Sequence, residues 1–391
     1  TIMKKLQPLI YALLICCGIL IGNIGNNPTT TNEEGKINAI LNLIDNHYVD
    51  TLNTSDFEDK TINAILNELD PHSAYIPVKK YQAVEEDMQG SFSGIGVQFN
   101  IIDDSIVVVS AISGGPSEKL GIQSGDRIIS VEKEDVASTG IKNEGVIKLL
   151  RGEKGSIVNI NIKRRGQIEL MPFAISRDDI PLYSVDVGIM LKDHIGYLKI
   201  NRFAATTYEE MMEKVNFLQQ AGMQKLILDL RGNPGGYLHI ANQMCDEFLK
   251  DGELIVFTEG RNRPKEETFA TRNGQLENIK VIVLIDEGSA SASEIVSGAI
   301  QDNDRGKIIG RRSFGKGLVQ EQIPLQDGSV IRLTTQRYYT PSGRCIQKDY
   351  GKNDKDYYLE QYTRKDTTIS RPDSLTYSTK NGRTVYGGGG I

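Results

Sequence analysis

The chain has 391 residues, of which 39% are hydrophobic and 25% charged, and a net charge of −6. That length exceeds one ordinary core and fits two or three domains of ~100–200 residues each; the apolar content excludes a disordered chain. Without residues 1–31, whose only charges are Lys4 and Lys5, the net charge is −8, which excludes nucleic acid as a partner.

Met3, Lys4 and Lys5 precede an uncharged run from Leu6 to Gly22, the order of a basic n-region and an apolar h-region. The run is short against the ~20 residues of a spanning helix, and no A-x-A cleavage pattern follows it. Residues 1–31 are therefore compatible with both a cleaved export signal and a retained membrane anchor. Ile15, not a small residue, precedes Cys16, which disfavours lipid attachment.

Within residues 32–87, Ile37, Ile40, Leu41 and Ile44, and then Ile62, Ile65, Leu66 and Leu69, recur at i, i+3, i+4, i+7. Each set predicts an amphipathic helix with one face to bury, the second ended by Asp70-Pro71. Residues 88–178 change to short β-rich runs: Gly96 to Phe99, Ile106 to Val109 and Ile157 to Ile162, with a helix over Val146 to Leu150. After Ser184, strand and helix alternate: Ile195–Ile200, Tyr208–Gln220, Leu226–Leu230, Tyr237–Leu249, Val281–Ile285 and Ser291–Ile300. The fold class is α/β (α+β overall), with buried parallel strands in residues 179–391 and functional loops at their carboxyl ends. Residues 348–382 have no sustained period and are expected to form a surface excursion. Thr384 to Ile391 is a strand running into glycines, so the sequence is expected to continue past Ile391. Cys245 and Cys345 are expected as small core residues, with one bridge between them as the alternative.

Chemistry concentrates in three segments. The strand Val281–Ile285 leads to Gly288-Ser289-Ala290-Ser291-Ala292-Ser293-Glu294, where small residues admit a substrate backbone and Ser291 stands at a helix start. Ser291-x-x-Glu294 is also a capping box, and capping is the plainer interpretation of this segment alone. Lys316 lies in Phe314-Gly315-Lys316-Gly317; a lysine serves as base to a serine only if desolvation leaves its amine neutral. Gly310 to Gly317 nearly spells a phosphate-binding loop, but Gly317 replaces the magnesium-binding hydroxyl and a strand pattern follows instead of a helix. Asp229-Leu230-Arg231-Gly232-Asn233-Pro234-Gly235-Gly236 is a strand end entering a glycine turn whose N–H groups could form half of an oxyanion hole, with the amide of Ala292 or Ser291 as the other half. Of the four histidines, only His239 follows a candidate loop, and no HExxH or paired cysteines indicate a metal. No cofactor is expected.

Together these segments, with Tyr339-Thr340-Pro341-Ser342-Gly343-Arg344, Leu69-Asp70-Pro71-His72-Ser73 and Leu150-Arg151-Gly152, resemble the C-terminal processing peptidases of serine peptidase family S41. The resemblance implies a ClpP/crotonase-like core over residues 179–391, a PDZ domain inserted at 88–178, and N-terminal helices belonging to the protease part or to a homodimer contact. It implies Ser291 as nucleophile, Lys316 as general base and Gln320 as the residue orienting the lysine, with Gly235, Gly236 and Ala292 as the oxyanion candidates. It likewise implies Gly94-Ile95-Gly96-Val97 as the turn that holds a peptide's terminal carboxylate while the peptide adds as a strand. Expected partners are proteins with unstructured apolar C-termini, with room for an adaptor, and the expected location is the cell envelope. The alternative is a non-catalytic PDZ-containing peptide-binding scaffold.

Overall fold

The computed structural model describes residues 35–271, 274–351, 354–364 and 373–391. The basic and apolar leader lies outside the described residues; among those described, no helix is long and apolar enough to cross a membrane. The chain forms two compact units, one ending at Lys60 and one running from Thr61 to Ile391.

In the first unit, α1 (Lys36–His47) follows the predicted period, yet none of its residues is buried. Helix α2 (Thr54–Asn67) follows, stopping three residues short of the Asp70-Pro71 break.

The boundary falls within α2, and in the second unit the end of that helix is followed by β1 (Ala74–Ile76), α3 (Val78–Gln89) and β2 (Ser91–Gly94). Next come β3 (Val97–Ile102), β4 (Ser105–Ala111), α4 (Pro116–Lys119), β5 (Arg127–Val131), β6 (Glu134–Asp135), α5 (Asn143–Leu150), β7 (Ile157–Lys163) and β8 (Met171–Ser176). These strands form one antiparallel sheet in the order β3-β4-β5-β7-β8, with β6 on β5. It closes over its own core, in which Ile106, Ile128, Val158 and Ile162 lie beside Val146 and Leu150 of α5. The alternation seen in Ile157–Ile162 places Val158, Ile160 and Ile162 on that inner face. Strand β9 (Asp178–Pro181) pairs antiparallel with β2, Gly94 opposite Asp178, so the chain enters and leaves this sheet through one two-stranded ribbon.

The remaining elements are β10 (Val187–Leu191), β11 (Ile195–Lys199), α6 (Thr207–Gln220), β12 (Lys225–Asp229), α7 (Leu238–Phe248), β13 (Leu254–Gly260), β14 (Arg263–Phe269), β15 (Lys280–Ile285), α8 (Ala292–Asp302), β16 (Lys307–Gly310), β17 (Leu318–Pro324), β18 (Val330–Tyr339), α9 (Asp354–Thr363), β19 (Thr376–Ser378) and β20 (Thr384–Tyr386). The central sheet has the order β10-β11-β12-β15-β16, parallel from β11 onward. Leu198, Leu228, Val283 and Ile308 stand in one row across it. The first three are fully buried against Val215 and Leu218 of α6, Met244 and Phe248 of α7, and Val296 and Ile300 of α8. Each such side chain contributes ~1.5–3 kcal/mol when taken out of water, which is why the apolar strand runs mark this sheet so clearly. A second, antiparallel sheet has the order β1-β18-β13-β14, with β17 on β18.

One expectation is corrected. The supposed surface excursion contains α9, and its Tyr357 is 2% exposed, packed with Phe314 and Ala290. A helix that buries one aromatic among polar residues leaves no apolar period. The later cysteines are unbridged, as the main expectation had it: Cys245 is free in the core and Cys345 is free and half-buried.

Candidate functional site

Three loops leave the carboxyl ends of neighbouring parallel strands, after Asp229, Ile285 and Gly310, and are tied together by backbone and short side chains. Gly232 N–H donates to Asp286 (2.8 Å), Ser289 Oγ to the Leu230 carbonyl (2.8 Å), and Phe314 N–H to the Ser289 carbonyl (2.9 Å). Asn233 O accepts from both Ala290 N–H and Ser293 Oγ at 3.0 Å. Burial alone would raise the Asp229 carboxyl, but bonds from Arg231 and Tyr197 bring it down to about 2, so it stands charged at the root of the glycine turn.

Ser291 sits immediately before α8 with φ +53°, a backbone region that costs a non-glycine residue ~1–3 kcal/mol. Strain of that size persists only where the surroundings impose it, and here they do. Tyr338 Oη donates to the Ser291 carbonyl at 3.1 Å, and Gly235, at φ +100°, lies directly against the serine. A Cβ on Gly235 would come within 2.8 Å of Ser291 Cβ and 3.0 Å of Ala292 N. Gly235, Gly236 and Ala292 are thus brought to the serine, with one departure from expectation. The Gly235 N–H is occupied by Asn233 Oδ1 (2.9 Å), because asparagine closes this turn on its own backbone. Among the described residues, the N–H groups of Gly236 and Ala292 have no acceptor.

Glu294 serves more than the predicted cap. Its carboxylate is buried, and burial raises its pKa against four opposing hydrogen bonds. Oε1 accepts from Ser313 Oγ (2.6 Å) and Gly315 N–H (2.7 Å); Oε2 accepts from Ser291 N–H (2.8 Å) and Lys316 N–H (2.9 Å). One side chain therefore fixes the serine turn and the lysine loop to each other. The same bonds answer the phosphate-loop alternative: the Gly315 and Lys316 amides that would cradle a phosphate already face a carboxylate, and β17 follows them.

Lys316 Nζ donates to Gln320 Oε1 at 2.8 Å and, among the described residues, makes no hydrogen bond to Ser291. Gln320 Nε2 donates to the His72 carbonyl at 2.6 Å, which turns the amide oxygen toward the lysine. A register shift between Val319 and Gln320 in the β17–β18 ladder accompanies this arrangement. Burial, then the Arg332 charge, lowers the Lys316 pKa to about 8, against the pull of Asp70 and Glu294.

The turn before β1 was legible only through the resemblance. Asp70 accepts from His72 N–H (2.9 Å), Ser73 N–H (2.9 Å), Ser73 Oγ (2.6 Å) and Thr334 Oγ1 (3.2 Å), binding the turn to β18. His72 Nε2 meets Tyr357 Oη at 2.8 Å; burial, then the Lys316 charge, lowers its pKa to about 3, so it stays neutral. Lys348 lies 4.0 Å over the Phe314 ring and 4.3 Å over that of Tyr357, donating to the Tyr357 carbonyl at 2.7 Å. His47, His194 and His239 are exposed.

The turn Gly94-Ile95-Gly96-Val97 lies on the other sheet. Ile95 is buried and its carbonyl accepts from Ser117 N–H at 3.1 Å, while Gly96 takes φ +72°. Among the described residues, the Ile95 and Gly96 N–H groups have no acceptor and the outer edge of β3 has no partner strand. Val97, Phe99 and Ile101 of β3 pack against the buried cluster that contains Val146 and Leu150 of α5.

A family model described as peptidase family S41 matches residues 194–357, and a PDZ domain model matches residues 93–171. The chain is 34% identical over 316 residues to the carboxy-terminal processing protease CtpB of Bacillus subtilis, covering 80% of this chain and 65% of that protein. It is 36% identical over 327 residues to a carboxy-terminal-processing protease of Bartonella bacilliformis, covering 82% of this chain and 74% of that one. Among solved structures, the photosystem II D1 C-terminal processing protease is 26% identical with a TM-score of 0.45, over 77% of this chain and 81% of that chain.

Proposed function

The chain belongs to peptidase family S41, that of the carboxy-terminal processing proteases, and from that premise we propose that it is a serine endopeptidase using Ser291 as nucleophile and Lys316 as general base. The observation that carries this is the pairing of a strained Ser291 with a half-buried lysine through Glu294, which holds both backbones at 2.8 and 2.9 Å. A lysine with a pKa of about 8 is roughly one-tenth neutral at pH 7 and about half neutral at pH 8, which supplies the unprotonated amine that a base requires.

In this mechanism Lys316 Nζ leaves Gln320 and takes the Ser291 Oγ proton as Oγ bonds to the scissile carbonyl carbon. The carbonyl electron pair moves to oxygen, where the N–H groups of Gly236 and Ala292 and the positive end of α8 receive it. The Lys316 ammonium then gives its proton to the departing amine as the C–N bond breaks. Water, deprotonated by the Lys316 amine, then bonds to the acyl carbon, and Lys316 returns the proton to Ser291 Oγ as the ester C–O bond breaks. Gln320 holds the amine between these events, and Gly235 shapes the site by its close approach.

Residues 88–178 are proposed as a PDZ domain inserted ahead of a protease core at 179–391. Substrate C-termini with apolar ends would add beside β3 and place their carboxylate on the Ile95 and Gly96 amides, between Gly94 and Val97. The leader would deliver the protein to the cell envelope.

The test incubates the full chain, in mild detergent, with a disordered protein ending in apolar residues, beside Ser291→Ala and Lys316→Ala. Cleavage by the unsubstituted chain and loss in both variants is expected. Hydrolysis that survives either substitution contradicts the mechanism, and peptide capture without hydrolysis by the unsubstituted chain would reassign it as a binding scaffold.

A further inference from the structure

Arg332 lies on β18 between β1 and β17, with Ala74 and Gln322 as its Cα partners. Two residues on, Thr334 pairs with Gln320 and its hydroxyl donates to Asp70. Alternation along the strand puts Arg332 on the same face as Thr334, about 7 Å away by strand rise, hence on the face where Gln320 holds Lys316. Arg332 is half-buried, and among the described residues it has no ion-pair or hydrogen-bond partner.

That sets it apart from the chain's other sequestered cations. Arg344 pairs with Asp302 (2.8 Å), Lys348 with Glu360 (3.3 Å) and Arg164 with Asp126 (2.7 Å), while Arg305 donates to the Phe248 (2.8 Å) and Leu276 (2.6 Å) carbonyls. A guanidinium drawn partly out of water is ordinarily paired with a carboxylate or a carbonyl. The two carboxylates that face Lys316, Asp70 and Glu294, are each filled by four neutral donors. Neither is turned over to Arg332.

We propose that Arg332 is a positioning residue of the catalytic pair, an uncompensated cation built into the sheet face beside Lys316 that keeps a second positive charge off the lysine amine and so leaves it competent as a base. The inference rests on the Ser291/Lys316 assignment and deepens it. The charges around Lys316 are Arg332 from β18, Asp70 from the turn before β1 and Glu294 from α8, with neutral His72 beside it and Lys348 beyond. The two carboxylates favour the ammonium, so without Arg332 only burial would oppose them.

The experiment follows labelling of Ser291 by a small fluorophosphonate against pH, in the full chain, for wild type, R332M and R332K, with Ser291→Ala and Lys316→Ala as controls. R332M is expected to move the acid limb up by about 0.5–1 pH unit, a roughly three- to tenfold loss of rate at pH 7, with the alkaline plateau changed less than about twofold. R332K, which keeps the charge, is expected to restore the wild-type limb. An unmoved limb in R332M overturns the inference, as does a plateau that falls equally in both variants, since packing would then be the cause. A raised KM for protein substrate with an unmoved limb would make Arg332 a substrate contact instead. If R332M does not fold, R332Q carries the same comparison. Silent Ser291→Ala and Lys316→Ala controls with an unmoved limb would fail the arginine alone; labelling that persists in Lys316→Ala would fail the underlying assignment.

Discussion

The Ser291–Lys316 region and the turn Gly94–Val97 are both built around backbone N–H groups, and they treat them in opposite ways. Around Ser291 most amides are committed: Glu294 takes those of Ser291, Gly315 and Lys316, and Asn233 takes that of Gly235, leaving those of Gly236 and Ala292 without an acceptor among the described residues. At the other turn, among the described residues, the Ile95 and Gly96 amides have no acceptor and the neighbouring strand edge has no partner. On the proposed function, the first region is organised in advance and leaves open the two amides that would receive an oxyanion, and the second leaves its bonds for an incoming chain to complete.

That contrast breaks most visibly at Glu294. Glu294→Gln must turn an NH₂ group toward two donors, so kcat should fall roughly 10²–10³-fold, as when a preorganised donor is lost. Steady-state cleavage rates check this, and near wild-type turnover would show that the carboxylate is only a cap. Next in size is Gly235→Ala, whose methyl would meet Ser291 Cβ at 2.8 Å. A displacement of that order costs about 10²-fold, read in kcat with KM little changed. Gly96→Ala acts on the other region alone, since its methyl would lie 2.9 Å from Ile180 Cδ1 in a left-handed backbone. Peptide affinity, by fluorescence anisotropy, should weaken about tenfold through mispositioned amides, while labelling of Ser291 by a small probe stays as in wild type. Equal loss of both would mean the two regions are not separately built. The smallest effect is expected from Tyr357→Phe, which removes two partly buried hydrogen bonds, to His72 and from Gln347, worth about 1 kcal/mol each; a drop in Tm of only a few degrees, with the pH profile unmoved, would place Tyr357 in support of the lysine loop and outside the chemistry.

How much of this could be seen beforehand follows from what each feature is made of. The central sheet was legible because buried parallel strands are continuous apolar runs, as in Leu226–Leu230 and Val281–Ile285, and because Tyr208–Gln220 repeats at helical spacing. Ser291 was ambiguous for a physical reason: the same Ser-x-x-Glu spacing makes a cap and supplies the carboxylate that joins the serine turn to the lysine loop. Only the second partner, the Gly315-Lys316 backbone, separates the two, and it lies 21 and 22 residues away. Helix α9 and buried Lys348 were hidden because aromatic rings, not an apolar stripe, cover them. The occupied amide of Gly235 could have been suspected from Asn233 two residues earlier, a spacing that favours closure of the asparagine on its own turn. Arg332 could not have been singled out from sequence, since its distinguishing property is the lack of a partner in space among the described residues.

The most direct test of the catalytic assignment is the pH dependence and position of fluorophosphonate labelling in the full chain, with the adduct located by peptide mass spectrometry. Because the reactive form is the neutral amine, the rate should rise as pH increases through about 8, the value to which burial and Arg332 lower Lys316. The predicted result is a single adduct on Ser291, formed at least about 10³-fold more slowly in Lys316→Ala. An adduct on another residue, or labelling of Lys316→Ala at the wild-type rate, would contradict the account.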